Sequence, residues 1–187
     1  MITITCNARE GTLDKTTKQL RRAGYIPYVI YSKGQEAKTG VLLRTDVEAA
    51  LRSIRPGFLP TTQFALKDAS GQISKAIVRE IQYEPTTYVV MHIDFLELDE
   101  KSVVEVKVPV EFVNTVDCVG VKLGGLLRHI MRHVKVRCLP ANLPSHFEID
   151  VKELGIRQSK RIKDIALPAG VKFLAGPEEI VASIAKR

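Results

Sequence analysis

The sequence predicts a mainly β protein made of two small, mostly antiparallel β domains with a few helices. The length of 187 residues holds one large domain or two small ones. Segments rich in β-branched and aromatic residues recur along the chain, and they do not alternate regularly with helices as a parallel, doubly wound sheet requires. A short acidic and polar break follows residue 97, so we place the domains at 1–97 and 98–187.

The first half contains five predicted strands, two of which form a hairpin across a turn with Gly71. A helix over 16–23 is closed by Gly24, and a second helix begins at the capping box Thr45–Glu48 and ends near Arg55. In the last strand of this half, His92 and Asp94 share the face opposite to Ile93 and Phe95. The predicted strands are 2–8, 26–31, 62–67, 73–82 and 88–96.

The second half opens on the clearest strand of the chain, 104–112, in which valines alternate with polar residues. Further strands are predicted at 134–139, 146–151 and 179–184. In the segment 123–134 apolar residues recur at helical spacing after two glycines, although its neighbours favour strands. The sequence therefore leaves helix and strand open there.

Composition excludes several classes of protein. The 45% hydrophobic content excludes a mainly disordered chain, and no apolar run approaches the roughly 18 residues of a membrane-spanning helix. The N-terminal segment lacks a secretory signal pattern, and three scattered cysteines fit a reducing cytoplasm. No spacing of histidine and cysteine with carboxylates predicts a metal site, and no phosphate-binding or nucleophile motif is present, so we expect neither cofactor nor catalysis.

The net charge of +7 fits a polyanionic partner and a basic but inert surface equally well, and the basic residues are locally concentrated. Between Arg9 and Arg22 they stand beside hydroxyl groups, a combination that can contact the phosphates and 2′-hydroxyls of folded RNA. A second stretch, 118–147, has no acidic residue before Glu148. Its partner could be RNA, a protein or water.

The strand pair His92 and Asp94 has three readings. A polar pair on an exposed sheet is the plainest, and a base edge of a nucleic acid, which offers both donors and acceptors, is a second. A general base with its orienting carboxylate is the third, but the sequence places no nucleophile beside it.

An ordered set of motifs resembles the L-twenty-five/CTC family of bacterial ribosomal proteins, in the long form with an added C-terminal domain. The likeness covers nearly the whole chain. Its pieces in the first half are Leu20–Tyr31, Ile81–Pro85 and Met91–Phe95, and those in the second are Val108–Val110, Gly120–Gly125, Val136–Pro140, Asp150–Val151 and Asp164–Pro168.

The resemblance implies a six-stranded antiparallel β-barrel that binds the loop E region of 5S rRNA on the large (50S) ribosomal subunit. It also implies a mainly β C-terminal domain, for which neighbouring ribosomal proteins on the 50S subunit are one candidate partner. We expect no membrane partner, a monomer when free, and a ribosome-associated protein of the cytoplasm. Together with the basic segment, the motifs give the candidate RNA-binding residues Arg9, Lys15, Thr17, Lys18, Arg21, Arg22, Tyr31, Gln82, His92 and Asp94.

The roles of these candidates follow from their chemistry. Basic side chains would pair with phosphates and Tyr31 would stack, whereas Gln82, His92 and Asp94 would hydrogen-bond to base edges and 2′-hydroxyls in a shallow minor groove. Three positions depart from the family pattern: Asp14 and Lys18 in the basic segment, and Ser32, where the family has glycine. They leave open the alternative of a stress or interaction protein that kept the fold and lost the RNA site. A tRNA-handling module ranks last.

Overall fold

Alternating residues of the first half form six strands that close into a barrel. The computed structural model describes residues 2–8, 17–32, 34, 36–68, 71–100 and 102–186, and the chain divides into two compact units, 1–102 and 103–187. The elements of the first unit are β1 (Ile2–Ala8), α1 (Thr17–Arg22), β2 (Tyr25–Tyr31), β3 (Lys38–Leu43), α2 (Arg44–Ser53), β4 (Gln63–Lys67), β5 (Ile73–Tyr83) and β6 (Val90–Glu97).

The barrel closes in the order β1-β3-β2-β6-β5-β4. This confirms the predicted fold class, with one difference in strand direction. Four neighbouring pairs are antiparallel, but β1 pairs with β4 and β2 with β6 in parallel. Parallel neighbours need a crossover connection, and here long stretches of chain separate the two strands of each parallel pair.

Aromatic rings occupy the centre of the barrel. Phe95 of β6 is 1% exposed, and its ring lies 5.9 Å from the rings of both Tyr28 and Phe64 in edge-to-face contacts. Such pairs stabilise a core beyond the area they bury. The alternation that buries Ile93 and Phe95 turns His92 and Asp94 to the outer surface, as predicted.

Beside this aromatic centre, the Cys6 thiol and the Tyr28 hydroxyl are buried together. Burial raises the pKa of Cys6 to about 11, and it also raises the pKa of Tyr28. The ring of Tyr28 lies against β3 at Gly40, where an added Cβ would stand 2.6 Å from the hydroxyl oxygen and 2.7 Å from two ring carbons. Only glycine therefore fits opposite Tyr28.

We expect Gly40→Ala to destabilise the barrel by about 1–3 kcal/mol, because the new methyl group must displace a ring packed in the core. Chemical denaturation followed by tyrosine fluorescence measures the change. Thr39→Ala, at the exposed neighbouring position of β3, is the control and should change the free energy of unfolding by no more than about 0.5 kcal/mol. Equal stabilities of the two variants would contradict this account of Gly40.

The helices follow the prediction in part. Helix α1 is confirmed, and the chain turns after it at Gly24 with φ +84°. The capping box at Thr45 is wrong: α2 begins at Arg44, its N-cap is Leu43 with no side-chain cap, and the Thr45 hydroxyl contacts Asp46 instead. The predicted end near Arg55 is also two residues late, because α2 ends at Ser53.

The second unit contains two sheets. One has the order β10-β7-β9-β12 and the other β11-β13-β8. The predicted strands at 104–112, 134–139, 146–151 and 179–184 are all present, with ends that differ by one or two residues. The elements are β7 (Val104–Val113), α3 (Val119–Lys122), β8 (Leu126–His129), β9 (His133–Cys138), β10 (Phe147–Asp150), β11 (Ser159–Arg161), β12 (Lys172–Phe173) and β13 (Ile180–Ala185).

The segment 123–134 is resolved as a strand. After the short helix α3, residues 126–129 form β8, which pairs antiparallel with β13 at the far end of the chain. The helical spacing of apolar residues is therefore overridden by a tertiary pairing. None of the helices formed by the described residues is long and apolar enough to cross a membrane.

Candidate nucleic-acid interface

A row of polar side chains crosses the outer face of the barrel on β5 and β6. The strand register places Gln82 opposite His92 and Glu80 opposite Asp94. On the other side of β6, Val29 of β2 is the partner of Asp94. The residues Gln82, His92 and Asp94, predicted from separate parts of the chain, thus lie side by side.

His92 and Asp94 are in close contact but poorly aligned. Their Nδ1 and Oδ1 atoms lie 2.7 Å apart, and the side chains are 21% and 20% exposed. Among the described residues, the buried Nδ1 atom of His92 makes this close contact without the angle of a hydrogen bond. Nδ1 therefore faces Asp94 inside the protein, and only the exposed part of the ring is open to a ligand.

Helix α1 is fastened to the same strand. Arg21 Nε donates to the carbonyl oxygen of Met91 at 3.1 Å, directly before His92. Arg44 Nη2 donates in turn to the carbonyl oxygen of Arg21 at 2.8 Å. These two guanidinium groups hold the basic helix beside the polar row.

Arg44 is a residue that the sequence reading missed. It stands at the first residue of α2 and contacts the last turn of α1, and its buried Nε atom has no hydrogen-bond partner among the described residues. Lysine and arginine side chains commonly bind the free carbonyls at a helix C-terminus. The sequence of the short α1 does not indicate which basic residue does so, and Arg44 therefore could not be identified from it.

The remaining candidates are distributed around this centre. Thr17, Lys18 and Arg22 are exposed on α1. Tyr31 is 37% exposed and pairs with Leu96, four residues along β6 from His92 or about 13 Å away. Tyr31 therefore lies on the face of the polar row at its Asp94 end, because Val29, the partner of Asp94, is two residues before Tyr31 on β2. Arg9 and Lys15 lie outside the described residues, as does Asp14.

The structure gives Ser32 a role. Its hydroxyl donates to the carboxylate of Glu97, and it joins the ends of the parallel strands β2 and β6. This departure from the family pattern therefore adds a bond between strands of the candidate face.

The electrostatics separate two regions. The polar row carries the carboxylates of Glu80 and Asp94, which repel phosphate groups. Helix α1 carries Lys18, Arg21 and Arg22 and has no acidic residue in its first turn. The row can accordingly exchange hydrogen bonds with neutral groups such as base edges and ribose hydroxyls, while the helix attracts phosphates.

Comparisons with known proteins agree over the whole chain. Residues 4–95 match the model of the Ribosomal L25p family, and residues 103–187 match that of the ribosomal protein TL5, C-terminal domain. A protein of Chlamydia abortus named large ribosomal subunit protein bL25 is 38% identical over 180 residues, which cover 96% of this chain and 97% of the relative. Proteins of the same name from Chlamydia muridarum and Chlamydia pneumoniae are 38% and 37% identical over the same shares.

Proposed function

Because the chain belongs to the bacterial ribosomal L25p family, in the long form that carries the TL5 C-terminal domain, we propose that its barrel binds the loop E region of 5S rRNA. The family is one of non-enzymatic, structural proteins of the large ribosomal subunit. The proposed site consists of the polar row on β5 and β6 and of helix α1. In this role the protein is associated with ribosomes in the cytoplasm, and 5S rRNA is its direct partner.

The side-by-side placement of Gln82, His92 and Asp94 on one face of the barrel carries this proposal. On this face the amide, the imidazole and the carboxylate together offer donors and acceptors. The minor groove of RNA is wide and shallow and displays 2′-hydroxyls and base edges. A groove placed over β5 and β6 would meet the exposed part of the His92 ring and its neighbours Gln82 and Asp94.

Helix α1 would neutralise the phosphates on one side of that groove. Lys18 and Arg22 are exposed there, while the Nε atom of Arg21 is bound to Met91. Arg21 thus both positions α1 and contributes its charge. Arg44 also positions α1, through its hydrogen bond to the carbonyl oxygen of Arg21. The basic groups of α1 and the hydrogen-bonding groups of the polar row are therefore separate. This suits RNA recognition, because phosphate contacts position the protein and contacts to base edges specify the site.

A binding titration with two RNA hairpins tests the proposal. One hairpin contains the loop E sequence, and in the other the non-canonical pairs of loop E are replaced by an uninterrupted helix. We expect the loop E hairpin to bind more tightly at every salt concentration from 50 to about 300 mM. Equal affinities for the two hairpins would overturn the specific claim, and they would favour the alternative of a protein that has lost the RNA site.

Lys18→Ala should weaken binding to both hairpins and lower the slope of log K against log salt by about one. The reason is that one lysine–phosphate contact releases about one counterion. Lys67→Ala is the matched control, because Lys67 is exposed at the end of β4, two strands away from β6. Unchanged salt slopes in Lys18→Ala would remove Lys18 from the interface.

A further inference from the structure

The outer face of the four-stranded sheet in the second unit brings together four cations. Lys107 lies on β7, Lys135 and Arg137 on β9, and Lys172 on β12, and all four side chains are exposed. Their sequence positions are spread over residues 107–172. The sheet collects them into an area three strands wide and three residues long, or roughly 10 Å by 7 Å.

Two pairs of these cations stand directly opposite each other. Lys107 is the register partner of Lys135, and Arg137 is the register partner of Lys172. Like charges at directly opposed positions of antiparallel strands destabilise a sheet. Among the described residues the cluster contains a single ion pair, in which Arg137 binds Glu105, and no carboxylate lies within ion-pair distance of the three lysines.

Apart from Glu105, which binds Arg137 within the cluster, the acidic groups of this sheet are gathered at its other end. Glu111 of β7 and Glu148 of β10 are register partners, and His146 contacts both of them. The face is therefore polarised, with negative charge towards β10 and positive charge across β7, β9 and β12. Counter-charges that would neutralise the lysines are present in the sheet but are placed away from them.

Protection of exposed strand edges accounts for only part of this pattern. Lysines on edge strands prevent edge-to-edge pairing, and Lys172 on the edge strand β12 has that effect. Edge protection applies also to Lys107, which precedes the part of β7 that pairs with β10 (Val110–Val113), but not to Lys135, since β9 lies between β7 and β12. The repulsion between Lys107 and Lys135 lowers the stability of the free protein. An anion bound between them would attract both lysines and offset that repulsion.

The second unit also carries most of the charge surplus. Residues 103–187 contain 14 Lys+Arg and 9 Asp+Glu, whereas residues 1–102 contain 14 and 12. The unit that is not the barrel is thus the more basic of the two. A partner with closely spaced negative charges fits a flat face with four cations better than a single small anion does.

We propose that the face formed by Lys107, Lys135, Arg137 and Lys172 is a second RNA-binding surface, which contacts the phosphate backbone of ribosomal RNA outside loop E. The inference rests on the proposed function, because it takes the partner of the chain to be ribosomal RNA. The contact is made to phosphates and is insensitive to sequence. It assigns a partner to the C-terminal domain and to two residues of the basic stretch 118–147, Lys135 and Arg137.

The test compares the full-length chain with the double variant Lys107→Gln/Lys135→Gln. Three binding targets are used: the loop E hairpin, protein-free 5S and 23S rRNA, and large subunits from which this protein has been removed. We expect the double variant to bind both larger targets roughly tenfold more weakly, with a salt slope lower by about two. Its affinity for the loop E hairpin should equal that of the original chain.

Lys152→Gln/Lys163→Gln is the matched control. It removes the same charge from exposed positions of the same unit outside the four-cation face, and it should leave all three affinities within about twofold. Melting curves of both variants establish that the fold is kept.

Three results are decisive. Equal affinity of the double variant and the original chain for the larger targets would overturn the proposal. A loss confined to intact subunits would also overturn it, since the partner would then be a ribosomal protein. Failure of the original chain to prefer loop E, with the loss on protein-free rRNA still present, would refute the proposed function of the barrel and leave this second surface standing.

Discussion

His92→Ala should weaken binding of the chain to the loop E hairpin by roughly 10- to 100-fold, which corresponds to the loss of one specific hydrogen-bonding contact to RNA. His92 lies in the middle of the polar row, between Gln82 on β5 and the tethered helix α1. Its Nδ1 atom contacts Asp94 in the free protein, so the exposed part of the ring is what makes the contact with RNA.

The salt dependence separates this effect from that of a basic residue. His92→Ala removes no phosphate contact, so the slope of log K against log salt should stay unchanged while the affinity falls. His92→Gln should recover part of the affinity, because the amide also offers a donor and an acceptor. Both variants should bind the disrupted hairpin as the original chain does.

His133→Ala serves as the matched control, since His133 is an exposed histidine on β9 of the second unit. It should bind the loop E hairpin with unchanged affinity. A His92→Ala variant that melts normally and binds loop E within twofold of the original chain would remove His92 from the interface.

Phe95→Ala should destabilise the first unit by about 3–5 kcal/mol. The ring is 1% exposed and contacts the rings of Tyr28 and Phe64, so its removal leaves a cavity that the barrel cannot fill without moving strands. Phe95 is also the residue after Asp94 on β6. Loss of the core side chain therefore loosens the strand that positions the polar row.

Urea denaturation of the full chain, followed residue by residue through hydrogen exchange, measures this effect in the first unit. Phe95→Leu should cost less, because leucine refills most of the volume. Leu174→Ala, at an exposed position of the second unit, is the control and should shift stability by no more than about 0.5 kcal/mol. Phe95→Ala and Leu174→Ala variants of equal stability would contradict the assignment of Phe95 to the core.

The sequence predicts those strands whose pattern is local. The alternation of valines in 104–112 and of Ile93 and Phe95 with His92 and Asp94 identifies β7 and β6 together with their faces. Strand β3 was missed, because its first half, Lys38 to Gly40, reads as polar loop. Gly40 belongs to a strand because it pairs with Tyr28 of β2, whose ring occupies the space of a side chain, and no local pattern shows that contact.

Strand neighbours are the part that the pattern does not determine. The parallel pairs β1–β4 and β2–β6 come from barrel closure, and β8 is a strand because β13 pairs with it. The same limit applies to the four-cation face of the second unit. Lys107, Lys135 and Lys172 have no common sequence motif, and the register of three strands alone makes them neighbours.

The candidate site was predictable in its residues and only partly in its arrangement. Gln82, His92 and Asp94 were identified from motifs, and the register joins them. The sequence does not identify Arg44 as a site residue, because its contact with the last turn of α1 depends on how the two helices meet. It also predicts the start of α2 one residue late. Tyr31 lies at the far end of β6 from His92, which the linear order of the motifs could not indicate.

A density map of the large ribosomal subunit with this chain bound tests the central claim most directly. The account predicts that β5, β6 and helix α1 face loop E of 5S rRNA, with His92 within about 3.2 Å of a base edge or a 2′-hydroxyl. A map in which that face of the barrel is turned to solvent or to protein, with 5S rRNA on another side, would contradict it.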